Sequence, residues 1–404
     1  MSRVAIVGGG PAGLAAAIAL RRHGADVVVL ERDARAGGVP RHCDHWGFGV
    51  RDLHRVLGGP SYAARYVGLA ERAGVDVRTC ATATGWDGPT TLAVTSPRGI
   101  ESIAADAVLL ATGCRERPRS ARLVPGTRPA GVLTTGALQQ LVHLGRERVG
   151  RRAVVVGAEH VSFSAVLTLR EAGCEIVAMV TEHPAHQTYA ALRRLAAPGV
   201  PILGSSRVAE IAGARRVESV VVTSARDGTS RVVACDTVVF TGDWIPDHEL
   251  ARRRDLAMDA GTRGPSVDQH GRTSAAGVFA AGNLVHAAES ADVAALGARA
   301  TAAAIATFLH DGRWPADPVP IGHEPPVAWV SPTAVAPDAH PGARPLLFRV
   351  DRPCRRAIVA LVQGDRTLWS SRRRRLDPNR SLRVPPRAIA GVAPGGEAVR
   401  LVVG

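Results

Sequence analysis

Three glycines and a glutamate carry the clearest chemistry in this chain. Gly8-x-Gly10-x-x-Gly13 follows the apolar run Arg3 to Val7 and precedes a helical stretch from Leu14 to His23; a second run, Asp26 to Leu30, then ends at Glu31. In such a strand–turn–helix–strand unit Gly8 permits the tight turn, Gly10 lets the backbone approach a diphosphate, and Gly13 lets helix and strand pack closely. The helix N-terminus turns N–H donors and the positive end of its dipole toward the phosphates. Glu31 is placed to accept hydrogen bonds from a ribose, and its charge would repel a 2′-phosphate. The pattern predicts a dinucleotide site.

A second unit of the same kind begins at Arg152, with a strand over Ala153 to Val156, a helix over Phe163 to Glu171 and a strand over Glu175 to Val180. Its turn reads Gly157-Ala-Glu159-His-Val-Ser162, so only the first glycine is kept. A carboxylate beside a diphosphate is unfavourable unless Glu159 turns away. Glu182 keeps the ribose position, and no arginine follows it closely, which disfavours NADPH. Two readings stay open: weak NADH binding, or a structural Rossmann domain that holds no nucleotide.

Other reactive side chains are few. Cys43 sits beside Arg41, His42 and His45; a lowered pKa would make it a thiolate, and otherwise it is a loop cysteine. His45, His54 and His286 are candidates for proton transfer. His286 ranks first, with Glu289 and Asp292 close by to orient it. Arg115 and Arg117 are read as partners of Glu116 or of a hinge, not of substrate.

The elements that must position these residues span two or three domains, as 404 residues would suggest. Strands are expected at 75–84, 91–95, Ala107 to Leu110, Val217 to Thr223 and Thr237 to Phe240, with a loop-rich stretch over 39–60. An alanine-rich helix covers Asp292 to Leu309, and a proline-rich linker follows at Trp314 to Pro326. Short β-like runs at Leu346 to Val350, Ala357 to Val362 and Val399 to Val403 predict a small C-terminal β domain. The expected boundaries are 1–118 with 243–312, 119–242, and 313–404.

Hydrophobic residues are 46% of the chain and charged residues 21%, which fits a folded globular protein. The net charge of +14 comes from 50 basic side chains, all of them arginine. They are scattered, so no nucleic-acid partner is expected; the run Arg372 to Arg375 is a candidate contact for an acidic protein. Without lysine no side chain can form a Schiff base. The six cysteines form no C-x-x-C pair and no metal-ligand spacing, so no metal is expected and a reducing, cytoplasmic setting fits. Glycines interrupt the apolar N-terminus before a signal core could form. No apolar run of about 18 residues stands out, and no membrane span is expected.

Two distant segments choose between dinucleotides. Leu109 to Gly113 reads LLATG and Thr273 to Asn283 reads TSAAGVFAAGN. With the N-terminal motif they resemble the three FAD fingerprints of the flavoproteins with two dinucleotide-binding domains, the pyridine nucleotide-disulfide oxidoreductase superfamily. The last fingerprint of that family ends in Gly-Asp, whose Asp holds a ribityl hydroxyl; here Gly282-Asn283 stands instead, and Asn can make the same bond. The resemblance implies an FAD set of Gly8, Gly10, Pro11, Ala12, Gly13, Glu31, Arg32, Gly38, Arg41, Ala83, Thr112, Gly113, Gly282 and Asn283. It also implies an α/β fold with two Rossmann-like domains, the FAD domain being discontinuous. Disulfide reductases of the superfamily place a cysteine pair near the position of Cys43, but a lone cysteine cannot form that disulfide.

A narrower branch is similar through Gly113-Cys-Arg-Glu-Arg-Pro118, Val124-Pro-Gly-Thr-Arg-Pro-Ala-Gly-Val132, Cys43-x-His45-x-Gly-Phe-Gly49 and Gly282-Asn283-x-Val285-His286. It includes the flavoprotein associated with anaerobic glycerol-3-phosphate dehydrogenase and the alpha subunits of opine oxidase, hydrogen cyanide synthase and sarcosine oxidase. The resemblance implies one component of a hetero-oligomeric dehydrogenase, passing electrons between its FAD and a partner flavoprotein that acts on an amine, amino acid or hydroxy compound. The alternatives are a self-contained NADH-dependent FAD oxidoreductase reducing a small acceptor, and a scaffold that holds FAD structurally.

Overall fold

The computed structural model describes residues 2–336 and 344–404. Residues 337–343 of the expected C-terminal domain lie outside the described residues. In chain order, the elements that build the sites are β1 (Arg3–Val7), α1 (Pro11–Arg22), β2 (Asp26–Leu30), α2 (Gly59–Arg72), β3 (Asp76–Arg78), β4 (Ala107–Leu110), β5 (Val132–Thr134), β6 (Arg152–Val156), α3 (His160–Glu171), β7 (Glu175–Val180), β8 (Ile202–Leu203), β9 (Thr237–Phe240), β10 (Val278–Ala280) and α4 (Ala291–Asp311).

The chain forms two compact units. One comprises Met1–Arg41, Trp46–Cys114 and Pro246–Gly404, the other His42–His45 and Arg115–Ile245. Each carries a five-stranded parallel sheet, in the order β10-β4-β1-β2-β3 in the first unit and β5-β9-β6-β7-β8 in the second; the four strands beyond the edge follow one pattern, while the edge strand comes last in the chain in the first unit and first in the second. Past their first residue the central strands are apolar, because both faces are covered, as parallel sheets require. In the first unit α1 and α4 share one buried cluster, where Ala15, Ala16, Ala294, Ala295, Ala298 and Ala302 leave room for a close approach.

Helix α4 departs from the expectation of no membrane-length apolar run. Its 21 residues are long and apolar enough to cross a membrane by length and composition. Its alanine face is buried in the core with α1, so here it is a core helix. The start of α2 also differs from expectation, because Gly59-Pro60 open a helix where the sequence predicts a loop. Tyr62 and Tyr66 lie fully buried on it, and both hydroxyls donate to Asp52 Oδ2 at 2.7 Å.

The C-terminal residues make two β-sheets. The five-stranded sheet includes the long ribbon Cys354–Gln363 with Arg366–Leu376; the three-stranded one pairs Val327–Ser331, Leu346–Val350 and Leu382–Val384. Leu346, Phe348, Val359, Leu361 and Leu401 fill the core between them. This region belongs to the first unit and does not stand apart as a third domain. Hydrogen bonds explain why: Val267 N donates to Thr333 Oγ1 at 3.0 Å, and the Gln269 amide is bonded twice to the Ala336 backbone at 2.9 Å.

Candidate functional site

The FAD-type residues of the first unit converge at the carboxyl ends of β1, β2, β4 and β10. The chain leaves β1 for β2 on one side, and β4 lies on the other, so the turn after β1 is the topological switch point where doubly wound sheets take their ligands. Gly8 has φ +109°, and a Cβ there would stand 2.4 Å from the Ala111 carbonyl oxygen. A Cβ on Gly13 would stand 1.9 Å from the Gly8 oxygen. Neither position tolerates a side chain, which fixes both motif glycines physically.

The N-cap of α1 is Gly10, in extended backbone, and no side chain caps the first turn; Pro11 at the start brings no N–H of its own. Gly38, at φ +62°, faces Gly10 backbone to backbone, so that a Cβ on Gly38 would come within 2.8 Å of Gly10 Cα. Gly282, at φ +73°, lies against Ala12, whose Cβ would be 2.7 Å from an added Cβ. Three distant segments therefore leave bare backbone around one uncapped helix terminus, a cradle suited to a diphosphate.

Glu31 is buried at the end of β2 and accepts from Gly9 N and Asp33 N, each at 2.9 Å. Burial raises its pKa, against the lowering by those two backbone donors. Ala81 N donates to Glu31 O at 2.9 Å, two residues before Ala83. Arg32 is exposed and 3.7 Å from Asp247; Arg41 is 3.2 Å from Asp33 and also bonds the Arg35 carbonyl. Thr112 Oγ1 donates to the Asp247 carbonyl at 2.6 Å, and Asp247 N donates to Gly113 O at 2.9 Å.

Asn283 is used differently from the expectation. Its amide nitrogen donates to Glu289 O and its oxygen accepts from Glu289 N, both at 3.1 Å. The side chain thus closes the 283–289 loop, with one of its two N–H donors and its oxygen bonded to the Glu289 backbone.

His286 is buried, and its ring stacks on Trp329 at 6.3 Å between centroids. Burial, together with the charges of Arg344 and Arg349, pushes its pKa down to about 3. The ring is neutral across the physiological range, and its Nδ1 has no hydrogen-bond partner among the described residues. Neither expected orienting group serves it. Glu289 pairs with Arg349 at 3.0 Å and accepts from Ser381, while Asp292 accepts from Gly49 N and Arg51 N. His54 is exposed, with φ +53°.

Cys43 and His45 lie in the second unit and His286 in the first, so these three form no catalytic group within a unit. The Cys43 thiol is buried, donates to Gln139 Oε1 at 3.1 Å, and is pushed up to about 12 by burial and by the Glu116 charge. The expected lowering by Arg41, His42 or His45 is outweighed, so the group is a thiol and not a nucleophilic thiolate. The six cysteines form no disulfide among the described residues.

The second unit repeats the first turn with one change. Gly157 N donates to Val180 O at 2.7 Å, as Gly8 N does to Leu30 O at 2.8 Å. The N-cap of α3, however, is Glu159. Its carboxylate does not turn away. Oε2 accepts from the Ser162 hydroxyl at 2.5 Å, and the Ser162 oxygen accepts from Glu159 N at 3.2 Å, within a reciprocal capping box. Gly157 at φ +138° and Gly242 at φ +77° both close on it, each with a Cβ position 2.8 Å from Oε2. At this turn the helix terminus is thus capped by the chain's own carboxylate, where the first unit has a bare glycine.

One further group was invisible to motif reading because its members are far apart in sequence. Single ligand atoms of Asp44, His143 and Glu171 lie within 4.8 Å of one another, and His143 also contacts Thr168 at 3.3 Å.

The pyridine nucleotide-disulphide oxidoreductase family model matches residues 2–298, and the chain belongs to that family. It is an FAD-dependent oxidoreductase; some members of the family also use NAD(P)H. The chain is similar to an opine oxidase subunit of Rhizobium meliloti, 26% identical over 69% of this chain and 58% of the relative. It is similar to the alpha subunit of sarcosine oxidase from a Corynebacterium species, 28% identical over 82% of this chain and 35% of the relative. The HcnB subunit of hydrogen cyanide synthase from Pseudomonas aeruginosa is 33% identical over 35% of this chain and 30% of the relative. The chain thus matches between 30% and 58% of the length of these relatives. In fold it resembles thioredoxin reductase of T. acidophilum, with TM-score 0.62 and 20% identity over 78% of this chain and 100% of that one. It also resembles L-proline dehydrogenase of P. horikoshii, with TM-score 0.57 and 19% identity over 76% and 56%.

Two outcomes are expected. Gly10→Glu abolishes FAD binding, because a carboxylate enters the cradle; visible flavin absorbance retained by the folded variant refutes the placement. For His286, the folded pKa lies below the unfolded value near 6.5, so the unfolded chain binds the extra proton first. Its contribution to stability is full above that pH and is lost as the pH falls toward 3. Between pH 6.5 and 5 the loss is about 2 kcal/mol at 1.36 kcal/mol per pH unit. Urea titrations at the two pH values should show a drop smaller by that amount in His286→Phe; an equal drop in both proteins disproves it.

Proposed function

We propose that this chain is the FAD-holding subunit of a dehydrogenase, exchanging electrons with a partner flavoprotein that acts on an amine, amino acid or hydroxy compound. The observation that carries this reading is the state of Cys43. A single buried thiol held near 12 gives the chain no dithiol route for electrons at that position, unlike a disulfide reductase. Opine oxidase, sarcosine oxidase and hydrogen cyanide synthase are all represented among the relatives by named subunits, which supports a hetero-oligomer. Six free cysteines support a reducing compartment such as the cytoplasm.

In this reading the backbone at Gly10, Ala12 and Gly38 takes the diphosphate at the uncapped end of α1, and Glu31 takes the adenosine ribose. Arg32, Arg41, Ala83, Thr112, Gly113, Gly282 and Asn283 frame the rest of the cofactor. FAD, when bound, supplies two-electron oxidation chemistry. Buried His286 contributes a neutral ring packed on Trp329, which makes it a positioning residue and not an acid.

The test is anaerobic stopped-flow on the chain purified together with any flavoprotein that co-purifies with it. An amine, amino acid or hydroxy acid should bleach the flavin of the complex, and a Cys43→Ser complex should do so within about twofold of the same rate. Rapid bleaching of the isolated chain by NADH would favour the self-contained alternative, and loss of activity in Cys43→Ser would reinstate a thiol role.

A further inference from the structure

The two units can be compared at one position. Gly10 and Glu159 are both N-caps of the helix that follows the first strand of their dinucleotide-type turns, and each stands at the second glycine position of the motif. In the first unit the position is bare. In the second it carries a carboxylate that is 5% exposed. We infer that Glu159 is a built-in substitute for the nucleotide diphosphate, which keeps the second Rossmann unit closed to NAD(P)H, and that removing this one side chain opens the site.

Four observations support this. The carboxylate sits on the helix terminus that would otherwise bind an anion, held by Ser162 in a reciprocal cap. A Cβ added to either of the positive-φ glycines around it, Gly157 or Gly242, would stand 2.8 Å from Oε2, so both positions must stay without a side chain for the carboxylate to sit there. Ser162 is locked in turn, since its hydroxyl lies 2.5 Å from Thr241 Oγ1. Finally, Glu159 Oε1 is buried with no hydrogen-bond partner among the described residues. A carboxylate placed only to stabilise a helix end would leave that oxygen in water; here it occupies the enclosed space in which a ligand oxygen would lie.

Other parts of the turn still suit a nucleotide. Gly157 retains the tight conformation, and Thr241 N donates to Val156 O at 2.9 Å, as Ala111 N does to Val7 O. Glu182 stands exposed just past the end of β7, where a ribose would be read and a 2′-phosphate repelled. The lock is therefore local to Glu159 and its serine.

The experiment measures NADH binding to the isolated, FAD-loaded chain by titration calorimetry, with neither partner protein nor substrate present. This separates it from the electron-transfer reading, which stands or falls on the complex. Wild type is expected to show no saturable binding up to about millimolar NADH, and Glu159→Gly to bind at least tenfold more tightly, about 1.4 kcal/mol. Glu159→Ala serves if the glycine variant does not fold, and far-UV circular dichroism confirms that the tested variant is folded. The gain should appear for NADH and not for NADPH, because Glu182 is untouched. Tight NADH binding by wild type, no gain in a folded variant, or an equal gain for NADPH would each overturn the inference.

Discussion

An uncapped helix terminus is the constraint on which the chemistry of this fold depends. The first turn of any helix has N–H groups with no partner inside the helix, and something must accept their hydrogen bonds. At α1 nothing in the chain does so: Gly10 has no side chain, Pro11 has no N–H, and Gly38 and Gly282 hold the surrounding backbone back. A bound anion would complete what the sequence leaves open. At α3 the chain completes it alone with Glu159. Two sheets that share the order of four strands thus differ at this terminus through one residue, and the parallel strands behind them serve to aim each terminus.

Much of the scaffold was legible because parallel strands buried on both faces leave an unmistakable trace. The strands over Arg3–Val7, Asp26–Leu30, Glu175–Val180 and Thr237–Phe240 coincide with their apolar runs. What escaped was set by tertiary packing. Tyr62 and Tyr66 define the buried side of α2 through Asp52, a residue outside that helix. The exposed ribbon strand Arg366–Leu376 carries few apolar residues and is fixed by pairing with Cys354–Gln363. The separate β domain is another case: its short strands were readable, but the bonds from Thr333 and Ala336 to residues 267–269 were not.

The candidate site was legible in its glycines and opaque in its polar side chains. Gly8, Gly10 and Gly13 have roles that follow from the absence of a Cβ, and absence transfers directly from sequence to structure. Polar groups depend on what surrounds them. Cys43 has three potentially cationic neighbours in sequence, yet burial and Glu116, far along the chain, move its thiol the other way. Asn283 has the chemistry to hold a ribityl hydroxyl, yet its amide binds Glu289. His286 has acids nearby in sequence, and the charges that face it in space are those of Arg344 and Arg349.

These environments bear on how electrons can leave such a protein. A reductase that serves a small thiol substrate needs an ionisable thiol pair and a port for a nicotinamide. Here the thiol at the relevant position is single and protonated, and the turn that would receive the nicotinamide nucleotide is filled by a carboxylate. Both departures remove a small-molecule route, and neither disturbs the first cradle, since Cys43 and Glu159 belong to the second unit. The second unit keeps a parallel Rossmann-type sheet behind a helix terminus capped by the chain's own carboxylate. The arginines of the C-terminal ribbon, Arg372 and Arg374 among the exposed ones, fit the same logic. In the proposed reading, electrons are exchanged across such a surface with another protein.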